Sequence, residues 1–156
     1  MKVVRTNDVP WAAALTRGNY SNRRKELGGG ERLSCGLWEL APGKKSFPLH
    51  VHLVTEEALF VISGHAEVRT PEGLTPIGPG DFVAFPAGGP AHQLINNGTE
   101  PLVYVGISAK IGADVVQYPD SGKVAAAVGN HPGSSKRWIY REGAQADYFE
   151  GDPDAT

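Results

Sequence analysis

Short apolar segments separated by turn residues fill the middle of the chain. Valine, isoleucine, leucine and phenylalanine recur in brief stretches, and glycine, proline or asparagine stands between one stretch and the next. Segments of this length and spacing are typical of an all-β sandwich or barrel. The pattern predicts strands over residues 31–40, 46–53, 58–62, 66–70, 74–77, 82–85, 92–96 and 102–108. Because no connection between them is long enough for a crossover helix, we expect antiparallel sheets.

The two ends of the chain have weaker patterns. Residues 1–30 contain a proline and end in three consecutive glycines, which disfavour regular structure, so we predict an irregular N-terminal arm. Residues 31–111 are predicted to form a β-barrel core. Residues 112–156 are predicted to form a C-terminal extension that packs on the barrel, with a loop at 130–136 and a late strand at 138–141. No linker marks a second domain.

Composition narrows the classes of partner. Of the 156 residues, 40% are hydrophobic and 21% are charged, which indicates a globular chain. The net charge of −2 gives no electrostatic reason to expect nucleic acid or an acidic membrane as partner. No apolar run reaches the roughly 18 residues of a membrane span.

The chain has a single cysteine, Cys35. It alternates with Leu33 and Leu37, so we interpret it as a small buried hydrophobe rather than a nucleophile. A single cysteine favours a reducing compartment, so we expect a cytoplasmic protein.

Three of the five histidines are spaced as metal ligands would be. His50 and His52 are two apart in a predicted strand, so both imidazoles point to the same side of the sheet. Glu57 begins the next strand after a bend, and His92 opens a later strand after a Pro/Gly-rich loop. Glu56 takes the place of Glu57 if that bend is one residue tighter. Nitrogen and oxygen ligands of this kind suit a first-row divalent metal ion.

The segments around these residues resemble the two sequence motifs of the cupin superfamily. Residues 43–64 read GKKSFPLHVHLVTEEALFVISG, and residues 80–96 read GDFVAFPAGGPAHQLIN. The first is similar to the motif of glycine, spacer, His-x-His, three or four residues, Glu, six residues and Gly. The second is similar to Gly, five residues, Pro-x-Gly, a short gap, His, three residues and Asn. Each motif has one extra residue in a loop, where an insertion costs little.

The resemblance implies a double-stranded β-helix, or jelly-roll, barrel with one metal ion inside near its mouth. The implied ligands are His50, His52, Glu57 and His92, and the implied cofactor is one divalent transition metal ion such as Fe, Mn, Ni or Zn. In the family such a site keeps open coordination positions for water or substrate. It also implies a small-molecule ligand or substrate and a homodimer formed by sheet packing.

Other segments narrow the resemblance to small bacterial one-domain cupins of no settled activity. They are NDVPW at 7–11, YPDSGK at 118–123 and DYFEGD at 147–152. Some members of that subgroup are described as possible sugar-phosphate isomerases. Segment 118–123 has turn chemistry, and it is either a plain loop or a lid or partner contact. Arg69 either reaches an anionic substrate or points outwards.

Three function classes remain open from the sequence. The first is a metal-dependent enzyme, working as an isomerase, a dioxygenase or a lyase on a small oxygenated molecule. The second is a non-catalytic module that binds a sugar or a similar ligand, since a fold does not fix a function. The third is a structural role in which metal stabilises the barrel.

Five aromatic residues are expected in the core or the pocket wall: Trp38, Phe60, Phe82, Phe85 and Tyr104. Trp38 would stack on a ligand ring if it faces the cavity.

Overall fold

The computed structural model describes residues 1–129, 136–148 and 150. Every pair of neighbouring strands in it runs antiparallel. The strands are β1 (Leu15–Arg17), β2 (Tyr20–Gly28), β3 (Leu33–Leu40), β4 (Val51–His52), β5 (Glu57–Ser63), β6 (Ala66–Thr70), β7 (Gly73–Ile77), β8 (Phe82–Phe85), β9 (Gln93–Ile95), β10 (Leu102–Ala109), β11 (Ala113–Tyr118), β12 (Lys123–Val128) and β13 (Lys136–Arg141). The predicted all-β class with antiparallel sheets is confirmed.

The strands form three sheets. A six-stranded sheet has the order β1-β2-β3-β10-β5-β8, a three-stranded sheet has the order β7-β6-β9, and a four-stranded sheet has the order β13-β12-β11-β4. Some neighbours are consecutive in sequence, whereas others, such as β3 with β10, β5 with β10 and β6 with β9, come from distant parts of the sequence, as a jelly roll requires. Within the described residues, no helix is long and apolar enough to cross a membrane.

The main core lies between the six-stranded and the three-stranded sheets. Its buried members share the inward positions of their strands: Leu40, Leu59, Val61, Ala66, Val68, Ile77, Leu94, Leu102 and Tyr104. In β5, Leu59 and Val61 are buried whereas Phe60 and Ile62 are exposed, which is the period of two that a strand imposes. Each fully buried aliphatic side chain contributes about 1.5–3 kcal/mol to folding.

The turn after β5 depends on a glycine. Gly64 has a φ of +79°, and a Cβ placed there would stand 2.2 Å from the carbonyl oxygen of Pro101. A side chain at this position would meet both a strained backbone and a rigid obstacle. Gly64 therefore lets β5 turn tightly into β6 beneath the segment that leads into β10.

The structure corrects several expectations about where strands begin and end. Residues 15–28 are not irregular, because β1 and β2 extend the six-stranded sheet through the pairing of β2 with β3. The predicted strand at 46–53 is mostly loop, with only β4 in regular pairing. Two strands, β11 and β12, were not predicted, and the loop predicted at 130–136 lies almost wholly outside the described residues. The division at residues 30 and 111 stays a prediction.

Candidate metal centre

Three separate elements bring the predicted ligands together. His50 and His52 flank Val51 in and beside β4, so their side chains share one face. The backbone of His92 pairs with that of His50, with N···O distances of 3.2 and 2.8 Å. Glu57 is the first residue of β5. The loop that carries His92 is thereby fixed beside the His-x-His pair.

The side chains converge on one point. The ligand atoms of His50, His52 and Glu57 all lie within 4.8 Å of one another. The Oε2 of Glu57 is 3.6 Å from Nε2 of His52 and 3.7 Å from Nε2 of His92. The rings of His50 and His92 are 4.7 Å apart between centroids. The structure therefore clusters three of the predicted residues closely and sets His92 beside them, whereas Glu56 is exposed and outside the cluster.

The donor set fits a divalent ion. Imidazole nitrogens and one carboxylate are ligands that first-row divalent metals accept. Among the described residues, the buried Nδ1 of His92 has no hydrogen-bond partner. Because Nε2 of His92 faces Glu57, an ion bound at Nε2 would leave the ring proton on Nδ1. The fit to an ion therefore depends on the convergence of the ligand atoms of His50, His52 and Glu57 within 4.8 Å of one another.

Two hydrogen bonds hold the paired histidines in one orientation. Nδ1 of His50 donates to the carbonyl oxygen of Pro48 at 2.8 Å, and Nδ1 of His52 donates to a carboxylate oxygen of Asp114. Each bond leaves Nε2 of its ring as the free nitrogen that faces the cluster. Such contacts orient metal-binding histidines and raise their basicity.

Asp114 is the functional residue that sequence reasoning missed. It lies in β11, and its second carboxylate oxygen accepts bonds from the backbone N–H groups of Val54 and Thr55 at 3.2 and 3.4 Å. It therefore fixes both His52 and the bend that leads to Glu57. The available signal was an acidic residue directly before two valines, because aspartate is depleted in strands unless it has a specific partner.

The electrostatics favour the protonation states that a metal requires. Burial, and after it the neighbouring His92, lower the pKa of His50 to about 4. Burial alone would raise the pKa of Glu57, but the three imidazoles outweigh it and the pKa is lowered. At neutral pH, His50 is therefore neutral and Glu57 is a carboxylate, so both present lone pairs to the centre.

Aromatic side chains wall the centre. Phe85 stacks on His92 with centroids 3.8 Å apart, Tyr118 lies over His50 at 6.2 Å, and Phe47 meets His50 edge-on at 6.4 Å. Trp38 continues this wall, 5.7 Å from Phe47. An aromatic wall beside a few polar side chains is typical of small-molecule sites.

Trp38 faces inwards and lies over two glycines. A Cβ at Gly36 or Gly106 would stand 3.1 or 2.8 Å from the indole ring. These glycines let the ring lie close to the sheet beside Tyr104, to which it is parallel within 8°. The expectation for Trp38, Phe85 and Tyr104 as wall or core is confirmed.

Several other residues singled out from the sequence lie away from the centre. Phe60 and Phe82 are wrong as core or wall, because both lie on the outer face of the six-stranded sheet with 44% and 64% of their surface exposed. Cys35 is half-buried rather than buried. Arg69 does not point freely to the site; it forms a paired contact with Asp120 at 2.6 and 2.9 Å. His65 is exposed, as expected.

The fold and the cluster together define an antiparallel all-β protein with a histidine–carboxylate centre walled by aromatic rings. The sequence profile of the cupin domain matches residues 36–108, which include all of the predicted ligands. The chain belongs to the cupin superfamily.

Solved structures agree with this assignment. A "Putative sugar phosphate isomerase" from Acidithiobacillus ferrooxidans is 30% identical, with a TM-score of 0.73, over 87% of this chain and 90% of that one. A cupin-superfamily sugar phosphate isomerase from Silicibacter pomeroyi is 22% identical, with a TM-score of 0.78, over 94% of this chain and 98% of that one. A polyketide cyclase from Streptomyces resistomycificus is 21% identical, with a TM-score of 0.58, over 70% of this chain and 79% of that one. No curated protein is similar enough to count as a match.

Proposed function

We propose that the protein is a metal-dependent enzyme that acts on a small oxygenated substrate. One divalent ion is held by His50, His52, Glu57 and His92. The observation that supports this proposal most directly is that solvent can reach the donor set. The side chains of His52 and Glu57 keep 20% and 28% of their surface exposed. A metal site that keeps an open side is suited to catalysis, whereas a structural site is closed by its ligands.

An isomerase is the reaction class we favour. The Acidithiobacillus ferrooxidans protein, similar over most of both chains, carries a sugar phosphate isomerase name, and the aromatic wall beside the centre suits a sugar-sized molecule. When bound, the ion would act as a Lewis acid on a carbonyl or hydroxyl oxygen. The chain's own residues shape and orient the site: Trp38, Phe47 and Phe85 form its aromatic wall, and Asp114 holds His52 in place.

The experiment that tests this function compares reactions on reconstituted protein. Protein loaded with Fe(II), Mn(II), Ni(II) or Zn(II) is incubated in deuterated water with aldose and ketose phosphates, and exchange and interconversion are followed by NMR. We expect metal-dependent deuterium uptake next to the carbonyl carbon, unchanged in the His65→Ala control. Oxygen consumption or decarboxylation instead would identify a dioxygenase or a lyase. Binding without any turnover, for every metal, would contradict the enzyme and favour the ligand-binding module.

We also propose a homodimer formed through the outer face of the six-stranded sheet. Phe60 and Phe82 are directly paired across β5 and β8, and the exposed Ile62 continues their patch. Exposed apolar surface of this kind marks interaction sites. We expect light scattering after size exclusion to give a dimer for the wild type and a monomer for Phe60→Lys/Phe82→Lys. Leu74→Lys, an exposed leucine of the three-stranded sheet, is the control and should stay dimeric; a monomeric wild type would contradict the proposal.

A further inference from the structure

One face of the four-stranded sheet carries positive charge from the candidate metal centre outwards. Tyr118 pairs across the hairpin with Lys123, and Lys123 pairs with Arg141 on β13. Directly paired residues of antiparallel strands project to the same face. Val116 lies two residues before Tyr118, and Ala125 lies two residues after Lys123, so both are on the same face. They are 2% and 0% exposed, so this face of the sheet covers the barrel and the site.

The cations on this face lack the partners that surface cations usually have. Lys123 and Arg141 stand directly opposite each other, and Arg137 lies further along β13 on the same side. Like charges in directly opposed positions destabilise a sheet. Among the described residues, none of the three forms an ion pair with a carboxylate, although Lys123 is half-buried. An anion between them would convert the repulsion into attraction.

Tyr118 connects this face to the centre. Its ring lies over that of His50 at 6.2 Å, and the ammonium of Lys123 is 5.8 Å from its centroid. The guanidinium of Arg137 donates to its hydroxyl oxygen at 3.0 Å. Lys123 and Arg137 therefore lie at an aromatic ring that itself lies over a predicted metal ligand, and Arg141 is paired with Lys123 across the sheet.

The nearest carboxylate of the hairpin is engaged elsewhere. Asp120 lies in the 3-10 turn Pro119–Ser121 between β11 and β12, and both of its oxygens accept bonds from Arg69. This contact ties the turn to β6 and keeps Asp120 turned to Arg69. The segment at 118–123 is thus an anchored turn that presents Tyr118 and Lys123, and Arg69 acts as its anchor.

We propose that Lys123, Arg137 and Arg141 bind the phosphomonoester of the substrate while its other end lies at the candidate metal centre. This substrate class rests on the proposed function, but the subsite is argued from charge and register alone. A phosphomonoester has close to two negative charges and three acceptor oxygens at neutral pH, which suits several cations together. Arginine offers paired donors and lysine a compact point charge. Tyr118 is a positioning residue between the two ends.

The test uses inorganic phosphate as the probe, with acetate as the carboxylate arm, at low ionic strength. Calorimetry and thermal melting are measured on the full chain with and without metal. The variant is Lys123→Gln/Arg141→Gln. The control is Lys2→Gln/Lys136→Gln, which removes the same charge; Lys136 precedes Arg137 on β13 and points to the opposite face. We expect phosphate to bind the wild type and the control alike, at least about tenfold more weakly to the variant, and acetate to bind none of them well.

Further readouts separate this inference from a structural role and from the proposed function. In phosphate-free buffer the Lys123→Gln variant should melt no lower than the wild type, because a repulsion is removed; a lower melting temperature would indicate a structural lysine. With a phosphorylated substrate, the double variant should raise KM at least about tenfold and change kcat less. Equal phosphate binding by the variant and the wild type would overturn the subsite even if turnover is found. Phosphate binding without turnover would leave the subsite standing and contradict only the enzyme.

Discussion

Replacing His50 and His92 together by alanine should remove the metal ion from the natively purified protein. The wild type is expected to carry about one Fe, Mn, Ni or Zn ion per chain, and the variant close to none, because the remaining His52 and Glu57 offer too few ligands to hold a first-row ion tightly. Any metal-dependent turnover should fall to background. Elemental analysis of both proteins, purified side by side, measures the first effect, and the isomerase assay measures the second.

The control must separate loss of ligands from loss of fold. His92 is buried and its ring stacks on Phe85 at 3.8 Å, so alanine there leaves a cavity that costs about 2–4 kcal/mol. A second variant, His50→Gln/His92→Gln, keeps more of the side-chain volume while removing the imidazoles. Single replacement of the exposed His65 by alanine controls for histidine loss in general. Full metal content in both double variants would show that the ion, if present, is bound elsewhere.

The sequence motifs predicted the parts of the site that are local in the chain. The His-x-His spacing predicts a shared face for His50 and His52 because side chains alternate along extended backbone, and the structure has them so. Glu57 and His92 are brought close to these two histidines by turns, and the residues of those turns are part of the motifs. That approach was expected from the family resemblance, and spacing alone would not have predicted it. The structure adds the physical reason, since the backbones of His50 and His92 pair directly.

The missed strand β2 shows where hydrophobic patterning fails. Its sequence, YSNRRKELG, has almost no apolar residues, so no period of two is visible. The strand forms because its long polar side chains cover β3: Arg23 pairs with Glu39 at 2.8 Å, and Arg24 lies over the ring of Trp38 at 5.2 Å. Arginine stems bury apolar surface while the charged ends find partners, and that contribution is invisible to a hydrophobicity pattern.

The missed Asp114 has a different cause. It is 62 residues away from His52 along the chain, and its role exists only after β11 has paired with β4. Since β11 was not predicted, no argument from the sequence could place this carboxylate beside the histidine. The predicted ligands were accessible from the motifs and the family resemblance, whereas the residue that orients one of them depended on long-range pairing.

Replacing Asp114 by asparagine should weaken metal binding by about 10–100-fold, the range typical for the loss of a partner that orients a metal-binding histidine. The substitution keeps the side-chain shape, and the Asn oxygen can still accept the N–H groups of Val54 and Thr55 that Asp114 now holds. The amide NH₂ then faces Nδ1 of His52, and it can only donate. Nδ1 must become the acceptor, so the ring proton moves to Nε2 and blocks the nitrogen that faces the centre.

Asp114 is a carboxylate at neutral pH in the wild type. Burial alone would raise its pKa, but the hydrogen bond and charge of His52 outweigh that effect and lower it. Competition of each protein with a metal-binding dye gives the dissociation constants. Asp81→Asn is the matched control, because Asp81 also accepts a backbone N–H in a turn, that of Gly78 at 2.7 Å, and touches no predicted ligand. Weaker binding for Asp114→Asn alone, with both variants folded, would establish Asp114 as the residue that orients His52. Equal affinities in all three proteins would contradict that role and leave Asp114 only as a brace for the bend before Glu57.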